Sequence, residues 1–271
     1  MTAFFSAVIF IGEVFLTQYI NFFGRVIPVY GLLFFIGIFV AAAVAALICK
    51  KKSIDRYDVV CSAIYSMIGA GIGSKLLFIL VSLRQIIELE LTFEEIIRGG
   101  FVFYGGLIGG ALGLLIYTKQ FKLKTLPLFD LYAVVLPLGH AFGRVGCFFA
   151  GCCYGMEYHG PFSHTYTSSI GNTPVGVPLF PVQLLESGLL VVLFIIGLII
   201  YLKLNLPVGM QTALYACEYA VVRFTLEFLR GDSERGSFLY LSTSQWTSIL
   251  VIAFVIISVI IFKRKHHKVS R

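Results

Sequence analysis

Apolar runs of about 18 or more residues recur along the whole chain, and each is long enough to cross a bilayer as a helix. Such runs leave few options, because a backbone in lipid must satisfy its own hydrogen bonds. A transmembrane barrel would show alternating segments of about 10 residues, and that pattern is absent from the sequence. The composition agrees: 58% of the 271 residues are hydrophobic and 13% are charged, too few charges to cover so much apolar surface in water. The expected fold is an all-α integral membrane protein, one polytopic domain over residues 1–271.

Seven spans are predicted, near 29–49, 57–82, 101–118, 126–149, 182–202, 208–229 and 244–262. Residues 1–28 hold a further apolar stretch, interrupted by Glu13, Gln18, Asn21 and Arg25, and read as an interfacial helix leading into the first span. A cleaved signal peptide is not expected, since the start is not basic and no small-residue cleavage site follows. Residues 151–180, rich in Gly, Ser, Thr, Tyr and Pro, read as a small extracytoplasmic loop or head.

Basic residues set the predicted orientation, because cytoplasmic loops retain them. Thirteen of the 21 lysines and arginines fall at one set of alternate span ends, from Lys50 through Lys119 and Lys203 to Arg271. The opposite loops carry Arg25, Arg84, Arg98 and Arg235. The N-terminus is therefore expected outside and the C-terminus in the cytoplasm. The net charge of +7 follows from this anchoring beside anionic membrane lipids and calls for no nucleic-acid partner.

Four basic residues remain, Lys75, Arg144, Arg223 and Arg230, all within spans or at their outer ends. Charges at membrane depth are costly and mark functional interiors by default; snorkelling to the headgroups is the competing explanation. In LGHAFGRVGCFFAGCCYG (138–155), His140, Arg144 and Cys147 share one helix face, flanked by Gly143 and Gly146, which permit close approach. An arginine on a small-residue face suits a phosphate, because its planar fork makes paired charge-assisted bonds. In RFTLEFLR (223–230), Arg223, Glu227 and Arg230 form either a self-neutralising cluster or two cations around an anion. In FYGGLIGG (103–110), Tyr104 precedes Gly105 and Gly106, as a packing seam or as a phenol able to donate to a leaving oxygen. Tyr30 opens the first span, Gln183 and Glu186 the fifth, and Gln245 and Trp246 the seventh. Cys147, Cys152 and Cys153 cluster in sequence; zinc, a disulfide and a catalytic thiol are open readings, although the spacing is not that of a zinc finger.

These motifs resemble those of the phosphatidylglycerol–prolipoprotein diacylglyceryl transferases. The family signature G-R-x-G-N-F-x-N-x-E-x-x-G is matched by Gly143, Arg144, Gly146, Phe148 and Gly155. R-F-x-x-E-F-x-R is matched by Arg223, Phe224, Glu227, Phe228 and Arg230. Tyr30-Gly31, Pro181-x-Gln183-Leu184-x-Glu186 and Gln245-Trp246 are similar to further family segments, and GIGSKLLFIL carries Lys75 where the family has arginine. The sequence departs at Cys147 and Ala150, which replace asparagines, at Cys152, which replaces a glutamate, and at Tyr104, which replaces a histidine.

The resemblance implies transfer of a diacylglyceryl group from phosphatidylglycerol to the lipobox cysteine of a preprolipoprotein, in the bacterial cytoplasmic membrane, with glycerol phosphate leaving and no metal or other cofactor. It implies that Arg144 and Arg223 hold the phosphate, with Arg230 and Lys75 assisting and Glu227 orienting them. Tyr104 would donate a hydrogen bond and His140 would act as base. Tyr30, Gly105, Gly106, Gly143, Gly146 and Gln183 would line the substrate site. A relative using the same lipid with another acceptor, and a non-catalytic lipid-binding protein, are the alternatives; a transporter lacks support, as no inverted repeat is visible.

Overall fold

The computed structural model describes residues 18–22, 25–232 and 237–269. Among them are eight α-helices: α1 (Val29–Ile48), α2 (Arg56–Glu88), α3 (Phe93–Arg98), α4 (Phe103–Gln120), α5 (Thr125–Ala150), α6 (Val182–Lys203), α7 (Met210–Leu226) and α8 (Thr243–Val269). A helix lies at each of the seven predicted positions. Five stretches are long and apolar enough to cross a membrane: Val29–Lys52, Arg56–Glu88, Thr125–Ala150, Val182–Lys203 and Thr243–Ile261. The helices at 103–120 and 210–226 are shorter, and glycines or polar residues dilute their apolar character.

The distribution of polarity is that of a protein solvated by lipid. Phe39, Leu80, Val81 and Phe254 stand exposed, whereas Ser62, Thr118, Asp130, Gln183, Glu186, Ser187, Gln211, Arg223 and Ser244 are buried. In water the hydrophobic effect would favour the reverse arrangement.

One expectation is corrected at the N-terminal side. Residues 19–22 and 25–28 form paired antiparallel strands, not a helix: β1 (Tyr19–Phe22) pairs with β2 (Arg25–Pro28), with Tyr19 opposite Pro28 and Ile20 opposite Ile27. Ile20, Val26 and Ile27 favour extended backbone, and the pairing satisfies backbone groups without a helix. Pro28 lacks an N–H and ends the strand. The backbone N–H of Val29 then donates to the carbonyl of Gln18 at 3.0 Å, closing the strand pair onto the start of α1. Residues 1–17 of that predicted segment, and Arg235, lie outside the described residues.

The chain forms two compact units, Val44–Phe129 and the remainder. In the unit Val44–Phe129, α2 and α4 pack along a glycine seam. A methyl group at Gly69 would strike the carbonyl of Gly109, one at Gly73 that of Gly105, and one at Gly113 that of Tyr65. Lipid tails are as apolar as leucine, so close van der Waals packing of small residues drives such helix pairs together. Thr92 and Glu95 form a reciprocal capping box at the start of α3.

In the other unit, α7 packs against α6 and α8. Gly37 of α1 meets α5, where a methyl group would lie 2.7 Å from Phe142 Cβ. The start of α7 is held by the buried carboxylate of Asp130, which accepts from Gly209 N at 2.6 Å, Thr212 N at 2.9 Å and Thr212 Oγ1 at 2.8 Å. An anion at a helix N-terminus is favoured by the orphan N–H groups and the dipole there.

Between α5 and α6 the chain builds a small folded segment. Two short strands, β3 (His164–Thr165) and β4 (Pro178–Leu179), pair antiparallel. Phe148, Tyr166, Leu179 and Leu184 form its core, and Tyr166 donates its hydroxyl to the carbonyl of Phe148 at 2.9 Å. Burial pushes that phenol's pKa up, so it stays a neutral donor. The N–H groups of Ile170 and Gly171 both reach the carbonyl of Ala150 at 3.1 Å and cap the end of α5. Gly151 turns the chain there with φ of +64°, a conformation that suits glycine at a helix C-terminus. Two further short strands, β5 (Ser237–Phe238) and β6 (Leu241–Ser242), precede α8.

Gly109→Leu is expected to break the α2–α4 seam and lower the thermal midpoint in detergent, with a smaller loss for Gly71→Leu, whose Cβ meets no neighbouring atom within 4 Å. Equal midpoints for the two variants would show that the seam does not hold the pair. Asp130→Ala is expected to cost roughly 2 kcal/mol, the usual scale for hydrogen bonds to a charged group, read from thermal or denaturant unfolding.

Candidate active site

The site is assembled from α5, α6, α7 and the start of α8. Arg144 sits on α5, one turn after His140, and points at Glu186 on α6. Arg144 Nε lies 3.1 Å from Glu186 Oε1, with side-chain exposures of 14% and 1%, a separation of charges that draws its strength from the surrounding apolar medium. Tyr219 of α7 donates its hydroxyl to the same carboxylate oxygen at 3.2 Å. The His140 ring meets the Tyr219 ring edge-on, with centroids 5.3 Å apart. Ser187 Oγ donates to the carbonyl of Ala141 at 3.1 Å and fixes α6 against α5.

One turn further along α7, Arg223 Nη2 lies 2.7 Å from Glu227 Oε2 and donates to Ser244 Oγ at 2.9 Å. Its other amino nitrogen, Nη1, is buried and has no hydrogen-bond partner among the described residues. Buried polar groups are nearly always paired, and the described residues provide no acceptor for this donor. Arg230 is 3.9 Å from Glu227 through Nε and makes a paired, two-bond contact with Asp232, at 2.8 and 2.6 Å. The Arg230 backbone pairs with Gly155, and Gly231 N donates to Tyr154 O at 3.1 Å, tying this end of α7 to the segment after α5.

Tyr30 packs its ring against Gly146, where a Cβ would lie 3.1 Å from Tyr30 Cδ2; at Gly143 a Cβ would meet nothing within 4 Å. Gln183 donates to the carbonyl of Cys152 at 2.8 Å and holds the turn that follows α5. Around that turn the sulfurs of Cys147, Cys152 and Cys153 all lie within 4.8 Å of one another.

The structure thus brings Tyr30, His140, Gly143, Arg144, Gly146, Gln183, Arg223, Glu227 and Arg230 into the same unit, around buried ion pairs. Lys75, Tyr104, Gly105 and Gly106 belong to the other unit. There the Lys75 ammonium is surrounded by the carbonyls of Ile96, Ile97, Gly99 and Gly100, at 2.9 to 3.2 Å, with the Phe101 ring 4.2 Å away. Its three N–H groups are taken up at the end of α3, which leaves none for the phosphate role expected from the sequence. Gly105 and Gly106 pack on α2, the first against Gly73 and Leu77 and the second against Ser74 Oγ. Tyr104 opens α4, is 44% exposed and stacks edge-on with Phe103.

Sequence reasoning left out Glu186 and Tyr219 as site members. Glu186 carried a signal, an acidic residue at the mouth of an apolar span; Tyr219 carried none, since a tyrosine within a span is ordinary.

A family model described as prolipoprotein diacylglyceryl transferase matches residues 18–261. The chain belongs to that family. It is 35% identical over 240 residues to the phosphatidylglycerol–prolipoprotein diacylglyceryl transferase of Clostridium tetani, covering 89% of this chain and 94% of the relative. It is 34% identical over 239 residues to transferase 2 of Clostridium perfringens, covering 85% and 89%. A Dehalococcoides mccartyi relative with the same activity in its name is 33% identical over 244 residues, covering 87% and 91%. Membership and the several apolar helices make this a multi-pass bacterial membrane protein.

Glu186→Ala leaves Arg144 without its carboxylate and is expected to destabilise the protein by about 3–5 kcal/mol, as removal of one partner from a buried pair does. Glu186→Gln retains a hydrogen-bond acceptor and should lose less. Unfolding midpoints of the two variants test this, and a wild-type midpoint for Glu186→Ala would mean that the pair does not hold α5 to α6.

Proposed function

We propose that this chain transfers the diacylglyceryl group of phosphatidylglycerol to the lipobox cysteine of a preprolipoprotein, the activity its relatives' names state, as a step of lipoprotein biogenesis. The observation that carries the reading within this chain is the buried guanidinium of Arg223 with an unpartnered N–H beside the Arg144–Glu186 pair. A lipid phosphate is an anion that reaches such a place from within the bilayer.

The chemistry is substitution at carbon with a phosphate leaving group. Arg144 and Arg223 hold the phosphate and stabilise the charge that grows on it as the C–O bond breaks. Such donors gain strength in a site that excludes water. Glu186 and Glu227 hold these guanidiniums in place, and Arg230, fixed by Asp232, adds positive potential. Glycerol phosphate leaves and the acceptor sulfur takes the glyceryl carbon as a thioether. The acceptor must react as thiolate; His140 is the residue assigned to take its proton. Tyr30, Gly143 and Gly146 line the approach along α5.

The same reading places seven spans in the bacterial cytoplasmic membrane, with the N-terminus and the segment at 151–180 outside, where preprolipoproteins emerge. The basic span ends support that orientation. Surrounding lipids supply both solvent and substrate.

The test is a transfer assay on purified protein with labelled phosphatidylglycerol and a lipobox peptide. A peptide gaining one diacylglyceryl unit, with release of glycerol phosphate, is expected. Release without peptide modification would assign another acceptor. Arg144→Ala and Arg223→Ala are each expected to lower the rate on the order of 100- to 1,000-fold, the usual effect of removing a charge-stabilising donor, while inserting normally. Wild-type rates in both would end the phosphate-clamp assignment.

A further inference from the structure

Cys147 and Cys152, which replace polar residues of the family signature, converge in space with Cys153. Cys147 lies near the end of α5, and Cys152 and Cys153 follow in the turn after Gly151. Their sulfurs lie within 4.8 Å of one another, and all three cysteines are partly buried. Neighbouring residues in extended chain direct their side chains apart. Here Cys153 takes φ of +56°, a left-handed conformation uncommon outside glycine, and Cys152 and Cys153 face one point together with Cys147. The turn is held from two sides. Gln183 binds the carbonyl of Cys152, and Ser169 Oγ donates at 2.8 Å to the carbonyl of Gly151, which also accepts from Thr173.

We propose that Cys147, Cys152 and Cys153 form a tris-thiolate site for a zinc-class divalent cation, with the fourth coordination position open to the thiol of the acceptor peptide. Zinc binds thiolates at about 2.3 Å in a tetrahedron, so its sulfurs stand about 3.8 Å apart, and three protein ligands with one open position is the arrangement of a reactive zinc rather than a structural one. The present separations need an inward shift of about an ångström at most to reach that spacing. Three thiolates on a divalent ion carry a net negative charge. The guanidiniums of Arg230 and Arg144 are charged neighbours of Cys153, and Arg144 of Cys147 as well. The site therefore has compensating cations at hand, and they are the same arginines that flank the proposed phosphate.

The open position deepens the transfer reading above and rests on it. A thiol that fills this position loses its proton, as a coordinating thiol does, and His140 is the base assigned to take it. Its sulfur then forms the S–C bond to the glyceryl carbon while the C–O bond to phosphate breaks, and glycerol phosphate departs with that electron pair. The product thioether is neutral, a poorer ligand, and releases. No oxidant or reductant is consumed. The site thus offers a way to generate the acceptor thiolate where the family's asparagines and glutamate are missing.

The experiment uses full-length protein purified in detergent under reducing, anaerobic conditions, stripped with a chelator and titrated with Zn²⁺ and separately with Co²⁺. The expected result is about one ion per chain, a thiolate-to-cobalt charge-transfer band, and at least a tenfold loss of affinity in Cys152→Ser and in Cys153→Ser, with unchanged thermal midpoints for the stripped proteins. Adding a lipobox peptide should shift the cobalt spectrum, and the same peptide with its cysteine replaced by serine should not. Wild-type protein that takes up neither ion, with all three thiols open to alkylation or two joined as a disulfide, overturns the metal site. A cobalt spectrum unmoved by the peptide overturns the open position. Transfer activity in the stripped protein separates these failures from failure of the transferase reading: undiminished transfer without metal leaves that reading standing and removes the metal from it.

Discussion

Charge placed where water cannot reach it sets the terms for the rest of this protein. Arg144 and Arg223 sit among apolar helices, and each needs a carboxylate to exist there. Glu186 and Glu227 supply them. Because Arg144 is on α5 and Glu186 on α6, that pair also fixes which helices meet and in what register. The Tyr219 hydroxyl brings α7 to the same carboxylate, and Ser244 brings α8 to Arg223. Four helices are gathered by four charges, and the proposed phosphate site draws on the same contacts that hold these helices together.

The two units solve the same packing problem differently. In Val44–Phe129 the interface of α2 and α4 is bare backbone, glycine against glycine, and polar groups are secondary. Lys75 shows how a cation is absorbed there: its ammonium caps a short helix through four carbonyls. In the other unit the guanidiniums are oriented by carboxylates, and Arg223 Nη1 has no hydrogen-bond partner among the described residues. A basic residue in a span is thus a weak pointer to function until its partners are known. Carbonyls can consume a lysine, whereas a carboxylate on one side of a guanidinium leaves its other edge available.

The family places the chemistry, and the altered signature places the question of how the acceptor is activated. Cys147 and Cys152 depart from the family signature that the sequence resembles, whereas Arg144, Arg223, Glu227 and Arg230 match it. On the proposed reading, the phosphate half of the reaction and the thiol half use separable parts of the site. Gln183, Ser169 and Thr173 hold that turn, so the sulfurs are set by a network as specific as the one around the arginines.

The sequence by itself determined the membrane class and the position of every long helix, because hydrophobic length and the demand for internal hydrogen bonding act locally along the chain. It also determined which helix faces carry His140, Arg144 and Cys147, or Arg223, Glu227 and Arg230, since spacing fixes a face. It did not determine the pairing of Tyr19–Phe22 with Arg25–Pro28, where β-branched residues and cross-strand pairing outweigh an apolar average. Only the tertiary structure decided that Glu186 is the partner of Arg144, that Lys75 is spent on carbonyls, and that three cysteines converge. Those outcomes depend on residues 21 to 42 positions apart, or on a single left-handed turn, and no local period encodes either.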